Sequence, residues 1–179
     1  MPESVQGVLL RKIRFSDTSL IITWFTDARG KIKTIAKGAL RPRSPFLGKL
    51  DLFFSCDLLL SIARKSEIHT LREVSVLTTF DGIRRNYSKT AVASYFVELV
   101  EEVTEPDHPV PEIYDLLLRA FGYLDSSAPS AKTITFFESE LCKCIGLQAS
   151  GSRVSAAERI ADAFGRLPRN RAEIVGRLV

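Results

Sequence analysis

A chain of 179 residues with 45% hydrophobic and 26% charged side chains has the composition of a folded protein with one large or two small domains. Its charge is uneven: residues 1–89 hold 16 Lys and Arg against 8 Asp and Glu, and residues 90–179 hold 9 against 13, which points to a polyanionic partner for the first half alone. No apolar run reaches the roughly 18 residues of a membrane-spanning helix, the start MPESVQGVLL lacks a signal peptide's basic and apolar regions, and three cysteines suit a reducing cytoplasm better than a disulfide framework.

The first 80 residues alternate with a period of two. Val5 to Phe15 and Ser19 to Thr26 are β-rich runs separated by Ser16-Asp17-Thr18, and Lys31 to Ala36 follows a turn at Asp27-Ala28-Arg29-Gly30. From Asp51 to Ile62 the residues Leu52, Phe54, Cys56, Leu58, Leu60 and Ile62 share one face, the pattern of a half-buried strand. Beyond Arg64-Lys65-Ser66, Glu67 to Phe80 alternates again, with Ile68, Thr70, Val74, Val76 and Phe80 in phase. Five strands are too few for a sandwich and fit a small barrel such as the oligonucleotide-binding (OB) fold.

Near Asp81 the period changes. Val92, Tyr95, Phe96, Leu99 and Val103 fall at helical spacing within Thr90–Thr104, with Glu98, Glu101, Glu102 and Glu105 on the wet face. The segment Thr104-Glu105-Pro106-Asp107-His108-Pro109 stops that helix. Further helices are predicted over Pro111–Leu124 and Ala131–Ile145, the latter ended by Gly146. Ser155-x-x-Glu158 opens a short helix that ends near Gly165, and Asn170-x-x-Glu173 opens a last one. The expected fold class is α+β and multidomain: an OB-fold β-barrel over residues 1–80 and an all-helical domain of about five helices over 81–179.

Nothing in the sequence assembles a catalytic site. His69 and His108 fall in different predicted domains, and neither stands near a nucleophile motif. Gly38 to Ser44 is basic but lacks phosphate-loop glycine spacing. Cys142-Lys143-Cys144 has one residue between its thiols and no second ligand pair, so the cysteines read as small hydrophobes rather than zinc ligands. The chain is expected to be a binding protein, not an enzyme, with no cofactor or metal.

The loop KGALRPRSPFLGK, Lys37 to Lys49, carries Lys37, Arg41, Arg43 and Lys49 and no acid. Thirteen residues are long for a loop in a compact domain, and such loops are often functional. Pro42 and Pro45 stiffen it, and Phe46 is expected to offer an aromatic plane, so that cations follow phosphates while the ring stacks on bases. Lys31 and Lys33 leave one face of the preceding strand about 7 Å apart. Arg11, Lys12 and Arg14 extend the strip, and Arg84, Arg85 and Lys89 form either a far wall or a helix cap. Trp24 and Phe25 point opposite ways, so at most one is a stacking platform; core is the expected role of each.

The run from Thr26-Asp27-Ala28-Arg29-Gly30-Lys31 through Lys37-Gly38-Ala39, with Arg41, Arg43, Ser44 and Gly48-Lys49-Leu50, resembles the N-terminal signature of RecO, a family of bacterial recombination mediators. Gly7-Val8-Leu9-Leu10, Ser16-Asp17-Thr18-Ser19-Leu20 and Phe25-Thr26 stand where that family has its first hairpin. Beyond residue 80 the likeness rests on the order of elements and on Phe136-Phe137-Glu138 through Gly146. Many members carry a four-cysteine zinc site after this helix; here Gly151-Ser152-Arg153 follows without cysteine, and the chain ends at Val179, short for the family.

The resemblance implies a DNA repair and recombination mediator that binds single- and double-stranded DNA and anneals complementary strands. It also implies contact with the acidic C-terminal tail of single-strand-binding protein, and work with RecR to load RecA. By position, Lys31, Lys33, Lys37, Arg41, Arg43 and Lys49 become the DNA-facing set, with Arg84 and Arg85 beside them. Arg119, Lys132 and Lys143 are the candidates for the tail-binding pocket. Two other readings stand against this one: an RNA-binding OB module, and a protein-docking scaffold whose DNA contact is incidental.

Overall fold

The computed structural model describes residues 2–148, 151 and 153–178; Ser152 of the cysteine-free segment lies outside them. Two compact units emerge, Met1–Thr79 with Glu105–Tyr114, and Phe80–Thr104 with Asp115–Val179.

Five strands build the first unit: β1 (Pro2–Arg14), β2 (Leu20–Thr26), β3 (Gly30–Ala36), β4 (Ser55–Ser61) and β5 (Ile68–Thr78). They close in the order β1-β2-β3-β5-β4, with β4 returning antiparallel to β1 and β3 running parallel to β5. This is the OB-fold barrel that the count of strands predicts. Alternation sends Val5, Leu9, Ile22, Trp24, Ile32, Cys56, Leu58 and Leu60 into one core. Closing five strands on so small a radius needs sharp bends, and register shifts at Leu9/Arg11 and Leu59/Leu60 supply them.

Two sequence expectations change here. The shift opposite Leu59/Leu60 pairs Leu60 with Leu71 and Leu59 with Glu73, so Arg72 is the extra residue and the phase of β5 flips across it. His69 and Leu71 are therefore buried before the bulge, where Ile68 and Thr70 were expected in phase, and Val74 is buried after it. The fourth strand begins at Ser55 rather than Asp51, because Phe53 adopts a left-handed backbone (φ 70°). The inward set Phe54, Cys56, Leu58 and Leu60 keeps its face regardless.

Glu105–Tyr114 belongs with the strands, although a boundary at residue 80 alone assigns it to the helices. Lys31 bridges to Pro106, and the Asp107 N–H donates to the Lys31 carbonyl at 2.9 Å. Arg29 donates to Asp107 at 2.9 Å and to Glu3 at 3.2 Å.

The second unit holds α1 (Asp81–Arg84), α2 (Tyr87–Val103), α3 (Pro111–Ser126, whose first turn lies in the barrel unit), α4 (Ala131–Cys144), α5 (Ala156–Phe164) and α6 (Arg171–Arg177). Local chemistry sets the ends. Asn86 accepts from the Lys89 N–H, opening α2. Pro111 takes the first position of α3, where a missing N–H costs nothing. Ser155 and Glu158 form a reciprocal capping box on α5, at 3.2 and 2.8 Å. At the end of α4, Gly146 turns left-handed (φ 74°) while the Leu147 N–H reaches back to the Cys142 carbonyl at 2.8 Å. Asn170 precedes α6 without a side-chain cap bond. Inside the bundle, Phe96 stacks on Phe137 with centroids 3.9 Å apart. Glu138 is buried and held by the Tyr95 hydroxyl at 2.6 Å and by two Arg171 nitrogens at 2.6 and 2.9 Å. Burial, with the Glu138 carboxylate beside it, pushes the Tyr95 phenol up.

Candidate nucleic-acid interface

The alternation that sends Ile32, Thr34 and Ala36 inward puts Lys31 and Lys33 on the outer face of β3. Lys33 is exposed, whereas Lys31 is half-buried beside Pro106. After β3 the chain runs through a ladder of tight turns. N–H groups of Ala39, Arg41, Ser44, Leu47 and Lys49 each donate to the carbonyl three residues back, at 3.0 to 3.4 Å. Lys37, Arg41, Arg43 and Lys49 all stay exposed on this segment. No ion-pair partner is found for Lys33, Lys37, Arg41, Arg43 or Lys49 among the described residues. Between Asp27 and Asp51 the sequence has no acid, so these charges add rather than cancel.

Phe46 does not face solvent. It is 6% exposed and packs into the barrel core with Ala39, Leu50 and Trp24, which overturns the expectation that it stacks on bases. Burying the ring in that core takes its apolar surface out of water and anchors the loop. Trp24 lies inside as well, its Nε1 donating to Thr34 Oγ1 at 2.9 Å. Phe25 is on the outer face by register, paired with Lys31, yet is fully buried.

Other basic residues have defined local work. Lys12 Nζ donates to the Leu50 carbonyl at 3.0 Å and to Asp51 at 2.8 Å, holding the end of the loop. Arg14 pairs with Asp17 and also donates to the Ser16 carbonyl. Arg84 and Arg85 are exposed but belong to the helical unit, where Arg84 pairs with Asp81 at 2.8 Å. Lys89 caps α3 by donating to the Asp125 carbonyl at 3.0 Å. The sequence reading left out exposed Arg64 and Lys65 in the β4–β5 connection, and Phe15, 61% exposed at the β1–β2 turn. An aromatic beside a tight turn and among cations was the available signal for Phe15.

The helical unit has a cavity of about 440 Å³ between α2, α3 and α4. Phe96, Tyr123, Phe136 and Phe137 give it an apolar wall, and Arg119 and Lys132 stand among its lining residues. Arg119 also pairs with Asp115 one helical turn back, at 2.8 Å. Lys143 is not part of that lining and pairs with Glu140. Cys142 Sγ donates to the Ala156 carbonyl at 3.5 Å, and burial pushes its thiol up. Among the described residues no three His, Cys, Asp or Glu side chains are grouped to hold a metal ion, and no helix is long and apolar enough to cross a membrane.

Comparison with known proteins covers both units. Residues 1–80 match the family model of the recombination protein O N-terminal domain, and residues 84–170 match that of its C-terminal domain. The chain is 31% identical to the DNA repair protein RecO of Rhodopirellula baltica over 156 residues, covering 87% of this chain and 58% of that protein. It is 30% identical to the protein of the same name from Syntrophus aciditrophicus over 141 residues, 79% of this chain and 54% of the relative. Similarity to the Pelobacter propionicus protein extends further, 28% over 176 residues and 71% of the relative. The chain thus spans little more than half the length of the first two. Two consecutive family models on a barrel-then-helices chain lead to one conclusion: the protein belongs to the RecO family.

Proposed function

We propose that this chain acts without catalysis as a mediator of DNA repair and recombination in the cytoplasm, binding single- and double-stranded DNA through the barrel unit. One observation carries the reading. Four exposed cations, Lys37, Arg41, Arg43 and Lys49, project from a hydrogen-bonded loop anchored in the barrel core, in a stretch free of acid. Lys33, and Lys31 beside it, extend the row onto the β3 face. Clustered cations release condensed counterions from phosphates, and a fixed loop loses little conformational entropy in doing so. Six phosphate contacts give a log–log salt slope of about −4 on single strands. Titration of the parent and of a Lys37→Glu, Arg41→Glu, Arg43→Glu variant tests this. The variant should bind DNA far more weakly and with a shallower slope; equal affinity removes the loop from the site.

In the helical unit, the cavity combines aromatic walls with Arg119 and Lys132. That chemistry suits an acidic peptide ending in an apolar side chain, and we assign it to the tail of single-strand-binding protein. RecR is the proposed partner for loading recombinase, with annealing of coated complementary strands as the accompanying activity. An annealing assay with coating protein that has or lacks its tail examines the whole scheme. Matched DNA and RNA titrations separate it from an RNA-binding OB module, since the 2′-hydroxyl is the discriminating group.

A further inference from the structure

The outer face of β1–β2–β3 is organised in rows. Arg11, Thr23 and Lys33 lie opposite one another across the three strands, and Ile13, Ile21 and Ile35 form the next row, about 7 Å further along. Ile13 is 54% exposed, and two residues beyond it Phe15 is 61% exposed. Strands β2 and β3 carry no acidic residue. In the turn beyond, Asp17 is paired with Arg14.

Phe15 stands on a rigid base. Its N–H donates to the Ser19 carbonyl at 3.0 Å, and Ser16 Oγ accepts from the N–H groups of Thr18 and Ser19. The cationic loop is fastened to the same turn: the Leu40 N–H donates to the Thr18 carbonyl at 3.0 Å, and the Gly38 N–H to Ser19 Oγ at 3.4 Å. A single exposed apolar side chain is ordinary on a protein surface. Here an aromatic ring follows, two residues on, the β1 end of an in-register apolar row, and the cationic loop is fastened to its turn. Bases offer flat apolar faces and phosphates offer charge at alternate positions, so a single strand complements both rows at once.

Resting on the DNA-binding reading above, we propose that Phe15 is a base-stacking residue for single-stranded DNA. Ile13 supplies apolar contact beside it, and Lys37, on the loop fastened to the same turn, meets a neighbouring phosphate. In a paired duplex the base faces are already stacked, so this contact is specific to single strands.

The test uses the full chain with a fluorescent oligothymidylate, the same oligomer with abasic positions, and a duplex of matched length. Phe15→Ala should weaken oligothymidylate binding by roughly tenfold, a fair share of the stacking contribution of one base. It should leave duplex affinity unchanged and make the protein indifferent to abasic positions. Phe15→Trp should retain affinity, and its added indole should be quenched by the oligomer, with the parent as blank because Trp24, its only tryptophan, is buried. If Phe15→Ala binds oligothymidylate as tightly as the salt-sensitive parent, the stacking assignment falls and the cationic interface stands. Equal weakening on single strand and duplex also overturns it. A parent that binds neither overturns both readings.

Discussion

Gly30 sits directly against the backbone of His108: a Cβ on this glycine would lie 2.0 Å from the His108 carbonyl oxygen. Its φ of +65° is also one that side chains disfavour. Gly30→Ala should therefore cost the barrel about 2 kcal/mol or more, combining left-handed strain with displacement of Glu105–Tyr114. Urea unfolding followed through Trp24 emission measures it, since the indole is buried in the barrel.

Glu138 and Arg171 give a second prediction. The carboxylate is 1% exposed and depends on Arg171 for two of its hydrogen bonds. Arg171→Ala leaves a buried charge with Tyr95 alone, and should destabilise the helical unit by about 3 kcal/mol. A Glu138→Leu, Arg171→Met double variant should lose less than the single one. Far-ultraviolet dichroism during urea unfolding distinguishes the two.

Phe46→Ala should behave as a core truncation, costing about 3 kcal/mol. Trp24 emission again reports the unfolding midpoint. Because the ring is buried, single-strand affinity should fall only as the loop loosens, without the selective loss of base contact expected at Phe15.

Alkaline pH should weaken the barrel. Burial, helped by Asp57, pushes the Cys56 thiol up to about 12 from 9.0. Burial likewise pushes the Tyr114 phenol up to about 12 from 10.0. Above pH 9 the unfolded chain releases the Cys56 proton while the native chain keeps it. Stability is thus fully present below pH 9 and falls with rising pH, at up to about 1.4 kcal/mol per pH unit for each group. Cys56→Ala should flatten the decline between pH 9 and 10 in denaturation midpoints.

For the helical cavity, Arg119→Glu and Lys132→Glu should each weaken binding of an acidic tail peptide by about tenfold, given that interface residues are seldom worth more than 1 to 2 kcal/mol. Lys143→Glu should not weaken it, since Lys143 lies outside the lining. Fluorescence anisotropy of a labelled peptide reads all three.

Period-two alternation located every strand and most of the barrel core, because inward side chains such as Leu58 and Leu60 are spaced by local geometry alone. Helix ends were equally legible where one side chain caps its own turn, as at Ser155 and Gly146. The bulge at Arg72 was not, because it arises from closing β4 against β5 and leaves no local mark. Nor was the side on which Phe46 falls, since a loop has no period to divide inside from outside. The cations of the loop could be found as charge, but their fixed presentation depends on turn bonds and on that buried ring. Glu138 shows the same limit in the helices: its partner Arg171 lies 33 residues along the chain.

The ring of Phe46 pins the basic loop to the core of the barrel. A polyelectrolyte approaching the loop would meet charges held by turn bonds, instead of gathering in a wandering tether. Transplanting only the basic residues onto another scaffold would carry over their attraction but not their presentation, because that presentation depends on the turn bonds and on the buried ring beneath them.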